Sequence, residues 1–225
     1  MINYSAIVDQ CLAHQDDEKA KAMSAYMKQQ FQFFGINAPI RKELVKNLKN
    51  KYGLTVNSDL WSLVRLLWED ERRECQYIAL DILTPFAKKL TRGHVSTLTW
   101  MITTKSWWDT VDGIAPALIG EIFRKDVEAR TEHVYQWMES SNIWLQRSAI
   151  IFQLKYGKDT DWNLLCEAIL KNDTSTGFFV RKGQGWALRQ YSKYAPDLVS
   201  QFVESNPQLS GLTKREAVRL ISNQV

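Results

Sequence analysis

Four apolar helical stretches of this chain each open on a basic residue that follows a polar or basic one: Arg72-Arg73-Glu74-Cys75, Gln146-Arg147-Ser148-Ala149, Arg181-Lys182-Gly183-Gln184 and Lys214-Arg215-Glu216-Ala217. The gaps between Arg73, Arg147, Lys182 and Arg215 are 74, 35 and 33 residues, and the first is two steps of 37 with its midpoint at Thr110. A step of 33–37 residues is the length of a helical-hairpin repeat. Such repeats stack into a curved solenoid with a concave face. Equivalent positions on successive repeats then line one groove, which would gather Trp108, Asp112, Arg147, Lys182 and Trp186. Chance placement of arginine on helices produces a similar pattern, so the register is an expectation for the structure to test.

Helices are expected throughout. Five prolines and ten glycines interrupt 225 residues, and strand-like alternation is scarce. Asp16-Asp17-Glu18 opens a helix that suits the dipole with acids in its first turn. Gly35 and Pro39 break the chain before a basic helix from about Ile40 to Asn50. Further helices are expected over Ser58–Trp68, Glu69–Leu83 and Ile143–Lys155, the last capped by Asn142. Pro196 and Pro207 punctuate the C-terminal helices, and Thr213 is the expected cap of the last. A single domain over residues 1–225 is expected, which is enough chain for one core or a short repeat array.

Several function classes find no support. No apolar run approaches 18 residues, so no membrane span is expected. The N-terminus lacks the basic and apolar regions of a signal peptide. Cys11, Cys75 and Cys166 are scattered and odd in number, which argues against a disulfide framework and for a reducing cytoplasm. His14, His94 and His133 are equally scattered, so no metal site is expected. No GxGxxG or Walker pattern points to a nucleotide cofactor, and no cofactor is expected. The formal charge is +4, and its excess is local. Residues 181–225 hold seven basic against three acidic residues, while the rest of the chain balances at 22 each. A basic region of this kind is either a footprint for a polyanion or a solvated helical surface.

The segment Thr104-Lys105-Ser106-Trp107-Trp108-Asp109-Thr110-Val111-Asp112 carries the most chemistry. Trp108 and Asp112 are i,i+4 neighbours on one helical face, with Lys105 expected on the same side. A large π surface beside an anion suits a flat cation such as an alkylated purine base; the alternative is a core tryptophan beside a solvated aspartate. Farther along, Lys182, Trp186 and Arg189 are spaced i, i+4, i+7 and share a stripe.

At these residues the sequence resembles the AlkD-like DNA glycosylases, the DNA alkylation repair family of HEAT-like repeats. The likeness runs over essentially the whole chain. It rests on Tyr26-Met27-Lys28 through Phe31, Phe33, Gly35-Ile36, Pro39 and Arg41; Thr104 to Asp109 with Val111-Asp112; Asn142 to Arg147; Phe178-Phe179 with Arg181-Lys182; Gly185-Trp186 with Leu188-Arg189; and Lys214 to Ala217. The resemblance implies an all-α fold, an α-α superhelix of HEAT-like helical repeats. It implies double-stranded DNA as partner and excision of N3- and N7-alkylated purines, with no metal; a monomer is expected. The family's catalytic aspartate falls on Asp112, its neighbouring tryptophan on Trp108 and its groove arginine on Arg147. Two aromatic walls fall on Tyr26 and Trp186. Lys182, Arg189, Lys214 and Arg215 are the expected DNA-backbone contacts.

One departure stands out. Where the family commonly has alanine and isoleucine before the Gly-Trp pair, this chain has Gly183-Gln184. Two glycines in one helical turn cost about 1 kcal/mol each against alanine, and they also permit close backbone approach. A polar Gln184 beside the aromatic wall is expected to alter the cleft, so that Gly183→Ala with Gln184→Ile raises both stability and base release. The departure leaves a second function open: a catalytically silent relative that uses the scaffold to bind DNA or a protein.

Overall fold

Short polar side chains start half of the fourteen α-helices among the described residues. Asp16, Asn37, Asn57, Asp126, Asn142, Asp161 and Ser210 each accept a hydrogen bond from an amide two or three residues on, satisfying a donor that the helix itself leaves open. A computed structural model describes residues 4–173, 175 and 177–221. It is all-α: among the described residues no strand forms, and one isolated bridge joins Gln32 to Arg72.

The chain divides into two compact units, residues 1–89 and 90–225. The first contains α1 (Tyr4–Ala13), α2 (Asp17–Tyr26), α3 (Ala38–Tyr52), α4 (Ser58–Glu69) and α5 (Arg73–Leu83), followed by a 3-10 segment over Thr84–Lys89. Buried Glu74 organises it by accepting the amides of Phe34, Gly35 and Ile36 at 3.0, 2.9 and 3.0 Å. Gly35 has φ 86°, and a Cβ there would lie 2.0 Å from the Asp16 carbonyl oxygen, so the glycine is required. Two boundaries differ from expectation. Helix α3 starts at Ala38, because Asn37 caps it and Pro39 fits its first turn, where no amide is needed. The helix expected from Glu69 is split. Asp70 is extended, with ψ 147°, and its carboxylate accepts the Arg72 amide at 2.7 Å. Gln76 closes that corner on the carbonyls of Leu67, Trp68 and Asp70.

The second unit contains α6 (Val95–Thr103), α7 (Trp108–Ile114), α8 (Gly120–Lys125), α9 (Val127–Met138), α10 (Ile143–Ile151), α11 (Trp162–Lys171), α12 (Phe178–Tyr191), α13 (Pro196–Ser205) and α14 (Gly211–Val218). A π-helical stretch over Ala115–Ile119 joins α7 to α8. Pro116 lacks the amide that would bond to the Asp112 carbonyl, so the regular ladder fails at that turn. Helix α10 ends at Ile151, earlier than expected. Gln153 instead turns to the Asp161 backbone, accepting its amide at 2.7 Å and donating to its carbonyl at 3.2 Å. The last helix is capped by Ser210 and not by Thr213, whose own amide donates to the Ser210 hydroxyl.

The repeat register holds within this unit. Asp112, Arg147, Lys182 and Arg215 are each the fifth residue of their helices, α7, α10, α12 and α14. The repeating position on α7 is therefore Asp112, two residues past the expected midpoint. Arg73 instead opens α5 in the first unit.

Helix α12 meets α14 at Gly185. A Cβ at Gly185 would lie 2.5 Å from Glu216 Cβ and 2.9 Å from the Thr213 carbonyl oxygen. Gly185→Ala is therefore expected to lose about 1–3 kcal/mol, the usual cost of overpacking. An unchanged urea midpoint would show that α14 yields without cost.

Candidate functional site

Helix α7 begins at Trp108, and its i,i+4 spacing sets Trp108 and Asp112 on one face. Lys105 precedes the helix in left-handed backbone, φ 51°, and so does not extend that face as expected. Facing α7, Arg147 of α10 forks onto Asp112. Its Nε donates to Oδ1 and its Nη2 to Oδ2, each at 2.8 Å. The remaining terminal nitrogen, Nη1, donates to the Phe179 carbonyl on α12. One side chain thus ties three successive repeat helices. The Arg147 side chain is 3% exposed and that of Asp112 18%.

Burial pushes the Asp112 carboxyl above its ordinary range; the hydrogen bonds and charge of Arg147 pull it back in part, and Asp109 adds a small upward push. Planar two-point pairing of this kind favours the charged carboxylate against that push.

Trp108, Asp112, Arg147, Phe178, Phe179, Lys182, Trp186 and Arg189 line a cavity of about 260 Å³. That is a little below the ~300–1,000 Å³ typical of small-molecule pockets, suited to one flat ring system. Trp107, Trp144 and Phe179 buttress it, with ring centroids 5.0 to 5.8 Å apart. The Arg147 guanidinium lies 5.9 Å from the Trp186 ring centroid.

The structure thus brings Trp108, Asp112, Arg147, Lys182, Trp186 and Arg189 to one cavity. Lys214 and Arg215 lie on α14 outside its lining: Lys214 donates to the Pro207 carbonyl at 2.7 Å, and Arg215 is exposed. Tyr26 belongs to the first unit, where it ends α2 with 69% exposure. Arg147, expected as a groove cation, has its guanidinium nitrogens engaged within the protein. Three residues near the cavity had no site role in the sequence reading. Phe178 and Phe179 precede Lys182 by one helical turn on α12, and Phe178 is exposed. Glu216 binds Lys182 at 2.7 Å and also Arg189. Its spacing of 34 residues from Lys182 was the available signal.

Gln184 overturns an expectation. Its side chain is buried away from the cavity. Its amide donates to the carbonyls of Asn172 at 2.9 Å and Ile169 at 3.3 Å, and its oxygen accepts from the Thr213 hydroxyl at 2.9 Å. Gly183 is also closely packed: a Cβ there would lie 3.0 Å from Arg147 Nη1, so the guanidinium would have to give way. No helix among the described residues is long and apolar enough to cross a membrane, and no cluster of three or more His, Cys, Asp or Glu there could hold a metal ion.

The chain is an all-α helical repeat with Asp112, Arg147 and two tryptophans on one cleft, and comparison with known proteins gives its family. Residues 7–221 match the family of DNA alkylation repair enzymes, and the chain belongs to that family. A structure described as a predicted DNA alkylation repair enzyme from Enterococcus faecalis is 31% identical, with a TM-score of 0.84, covering 91% of this chain and 95% of that one. AlkD2 from Streptococcus mutans shares the fold at 17% identity, TM-score 0.61, with 88% and 97% covered. The smu.31 protein from Streptococcus mutans UA159 does so at 18% identity, TM-score 0.58, with 79% and 97% covered. No curated protein matches the sequence.

Two variants follow from this geometry. Arg147→Ala leaves a buried carboxylate without its partner and is expected to cost about 3–5 kcal/mol; a wild-type unfolding free energy would refute the pairing. Gly183→Ala with Gln184→Ile is now expected to destabilise, because each buried polar group left unsatisfied costs about 1–3 kcal/mol. A raised melting temperature would restore the sequence-based expectation.

Proposed function

We propose that this protein is a DNA glycosylase that releases cationic N3- and N7-alkylated purines from duplex DNA. The observation that carries the reading is the Asp112 carboxylate, fixed by Arg147 on the aromatic wall of a cavity sized for one ring system.

The chemistry asks little of the protein. An N3- or N7-alkylated purine already carries positive charge, so the base leaves neutral and no general acid is needed. The bond from C1′ to the base nitrogen breaks, and its electron pair goes to the base. Positive charge then develops on the deoxyribose. Asp112 stabilises that charge and orients the water whose oxygen bonds to C1′. The water's proton passes to the carboxylate or to solvent. The fork occupies one direction on each Asp112 oxygen, and a carboxylate accepts about four bonds, so acceptor capacity remains. Arg147 positions Asp112. Trp108 and Trp186 hold the cationic base by cation–π contact. Lys182 and Arg189 contact backbone phosphate at the cavity, with Lys214 and Arg215 flanking it. The Gly183-Gln184 departure is compatible with activity, since neither residue lines the cavity.

Asp112→Asn is expected to lower single-turnover release of 7-methylguanine and 3-methyladenine from methylated duplex by about 10²–10³-fold, the scale of a lost electrostatic stabiliser. DNA affinity should change far less. Release at the wild-type rate would remove Asp112 from the chemistry.

The pH profile is a separate check. Only the ionised carboxylate stabilises the sugar, and its proton affinity in the fold is raised. Release should therefore fall on acidification through an apparent pKa above the ordinary carboxylate value. Stability runs the opposite way. The native state holds this proton more tightly than the unfolded chain, so this group costs stability as pH rises through its folded pKa. A rate that stays flat down to the ordinary carboxylate pKa would contradict the assignment.

A further inference from the structure

Glu216 is a second carboxylate beside the cavity, and the chemistry above does not use it. Its Oε1 accepts from Lys182 Nζ at 2.7 Å, and its Oε2 accepts from Arg189 Nη1. Both cations line the cavity. The Glu216 side chain is 11% exposed, against 41% for Lys182 and 22% for Arg189, so the carboxylate sits behind the cations. The Lys182 hydrogen bond, aided by the charges of Arg189 and Lys182, holds Glu216 below its ordinary range against a smaller opposing push from desolvation.

The placement is built into the fold. Gly185 lacks the Cβ that would collide with Glu216 Cβ. One turn earlier on α14, the Thr213 hydroxyl bonds to the Arg181 carbonyl at 3.2 Å and to Gln184 Oε1 at 2.9 Å. Helix α14 is therefore pinned against α12, and Glu216 has a fixed address.

Charge at the cavity makes this placement matter. Arg147, Lys182 and Arg189 oppose Asp112 alone on the lining, which leaves an excess of two positive charges. A cationic base would be repelled there. Glu216 lowers the excess by one. It also holds Lys182 and Arg189 with donors remaining for phosphate, since ammonium and guanidinium carry three and five N–H groups.

We propose that Glu216 is a positioning residue that gives the cleft its preference for a positively charged nucleotide. It tethers Lys182 and Arg189 on the wall and offsets part of their field. The inference rests on the glycosylase reading and names the discrimination that the site makes.

The test is Glu216→Gln in the full chain, read by binding. Undamaged duplex should bind more tightly at low salt, and the log–log salt dependence should steepen by about 0.9, the effect of one added phosphate contact. Preference for a duplex with a cationic pyrrolidine abasic-site mimic over one with the neutral tetrahydrofuran mimic should fall about three- to tenfold, the size of one screened unit charge across a cleft. Lys182→Gln, which keeps Glu216, should move both readings the opposite way. The double variant Glu216→Gln with Lys182→Gln restores the charge balance and should return both toward wild type.

If Glu216→Gln fails to fold, Lys182→Gln alone decides: its cation preference must rise. A folded Glu216→Gln variant with unchanged salt slope and preference would overturn the proposal, as would a double variant that does not revert. If the wild type releases no methylated base yet these shifts appear, the glycosylase reading falls and Glu216 stands as the selectivity element of a DNA-binding cleft.

Discussion

The Asp112–Arg147 fork joins helices one repeat apart, and the candidate site depends on it. Asp112 supplies the anion, Arg147 fixes its plane, and the third guanidinium nitrogen reaches the Phe179 carbonyl. Isolated, either buried charge would be expensive; paired in this geometry, they offset each other. The net worth of such a pair to stability is small. Its value is positional, because two parallel hydrogen bonds set the orientation of the carboxylate within narrow limits. The π-helical turn after α7 follows from Pro116, whose missing amide falls one turn past Asp112.

The contact between α12 and α14 explains residues that look unfavourable in isolation. Gly183 and Gly185 weaken a helix by intrinsic propensity. Here one leaves space for the Arg147 guanidinium and the other for Glu216 and the Thr213 carbonyl. Gln184 hydrogen-bonds to two carbonyls near the C-terminal end of α11 and to Thr213. The three residues form one solution: close helix approach on two sides and a polar anchor between them.

Much of the helical plan was legible, because caps act locally. Asn142 caps its helix as expected, and Asp17 and Glu18 fall in the first turn of α2, with Asp16 just ahead of them as its cap. The repeat step was also legible within the second unit, where Arg147, Lys182 and Arg215 share a helix position. Boundaries failed where a side chain competed for the backbone. Asp70 interrupts the segment expected to run from Glu69, and Ser210 takes the cap expected of Thr213. The error about Gln184 was avoidable. Residues two apart on a helix do not face each other, so Gln184 could not flank the wall that Trp186 forms. Glu216 was missed for another reason: a charge count records it as one acid among bases, whereas the fold makes it the partner of two of them.

The same distinction separates the charge of the C-terminal segment from its field. Seven basic residues there suggest a strongly attractive surface for a polyanion. Yet Lys182 and Arg189 share Glu216, Arg181 Nε donates to the Ser175 carbonyl, and Lys214 donates to the Pro207 carbonyl. The carboxylate of Glu216 weakens the far field of Lys182 and Arg189, whereas Arg181 and Lys214, held by neutral carbonyls, are fixed in place but keep their full charge. A wall that carried all its positive charge unpaired would bind any duplex strongly and repel a cationic base. On the proposed reading, Glu216 behind Lys182 and Arg189 reverses that ordering: it reduces indiscriminate affinity and leaves a cleft that a positively charged nucleotide can enter.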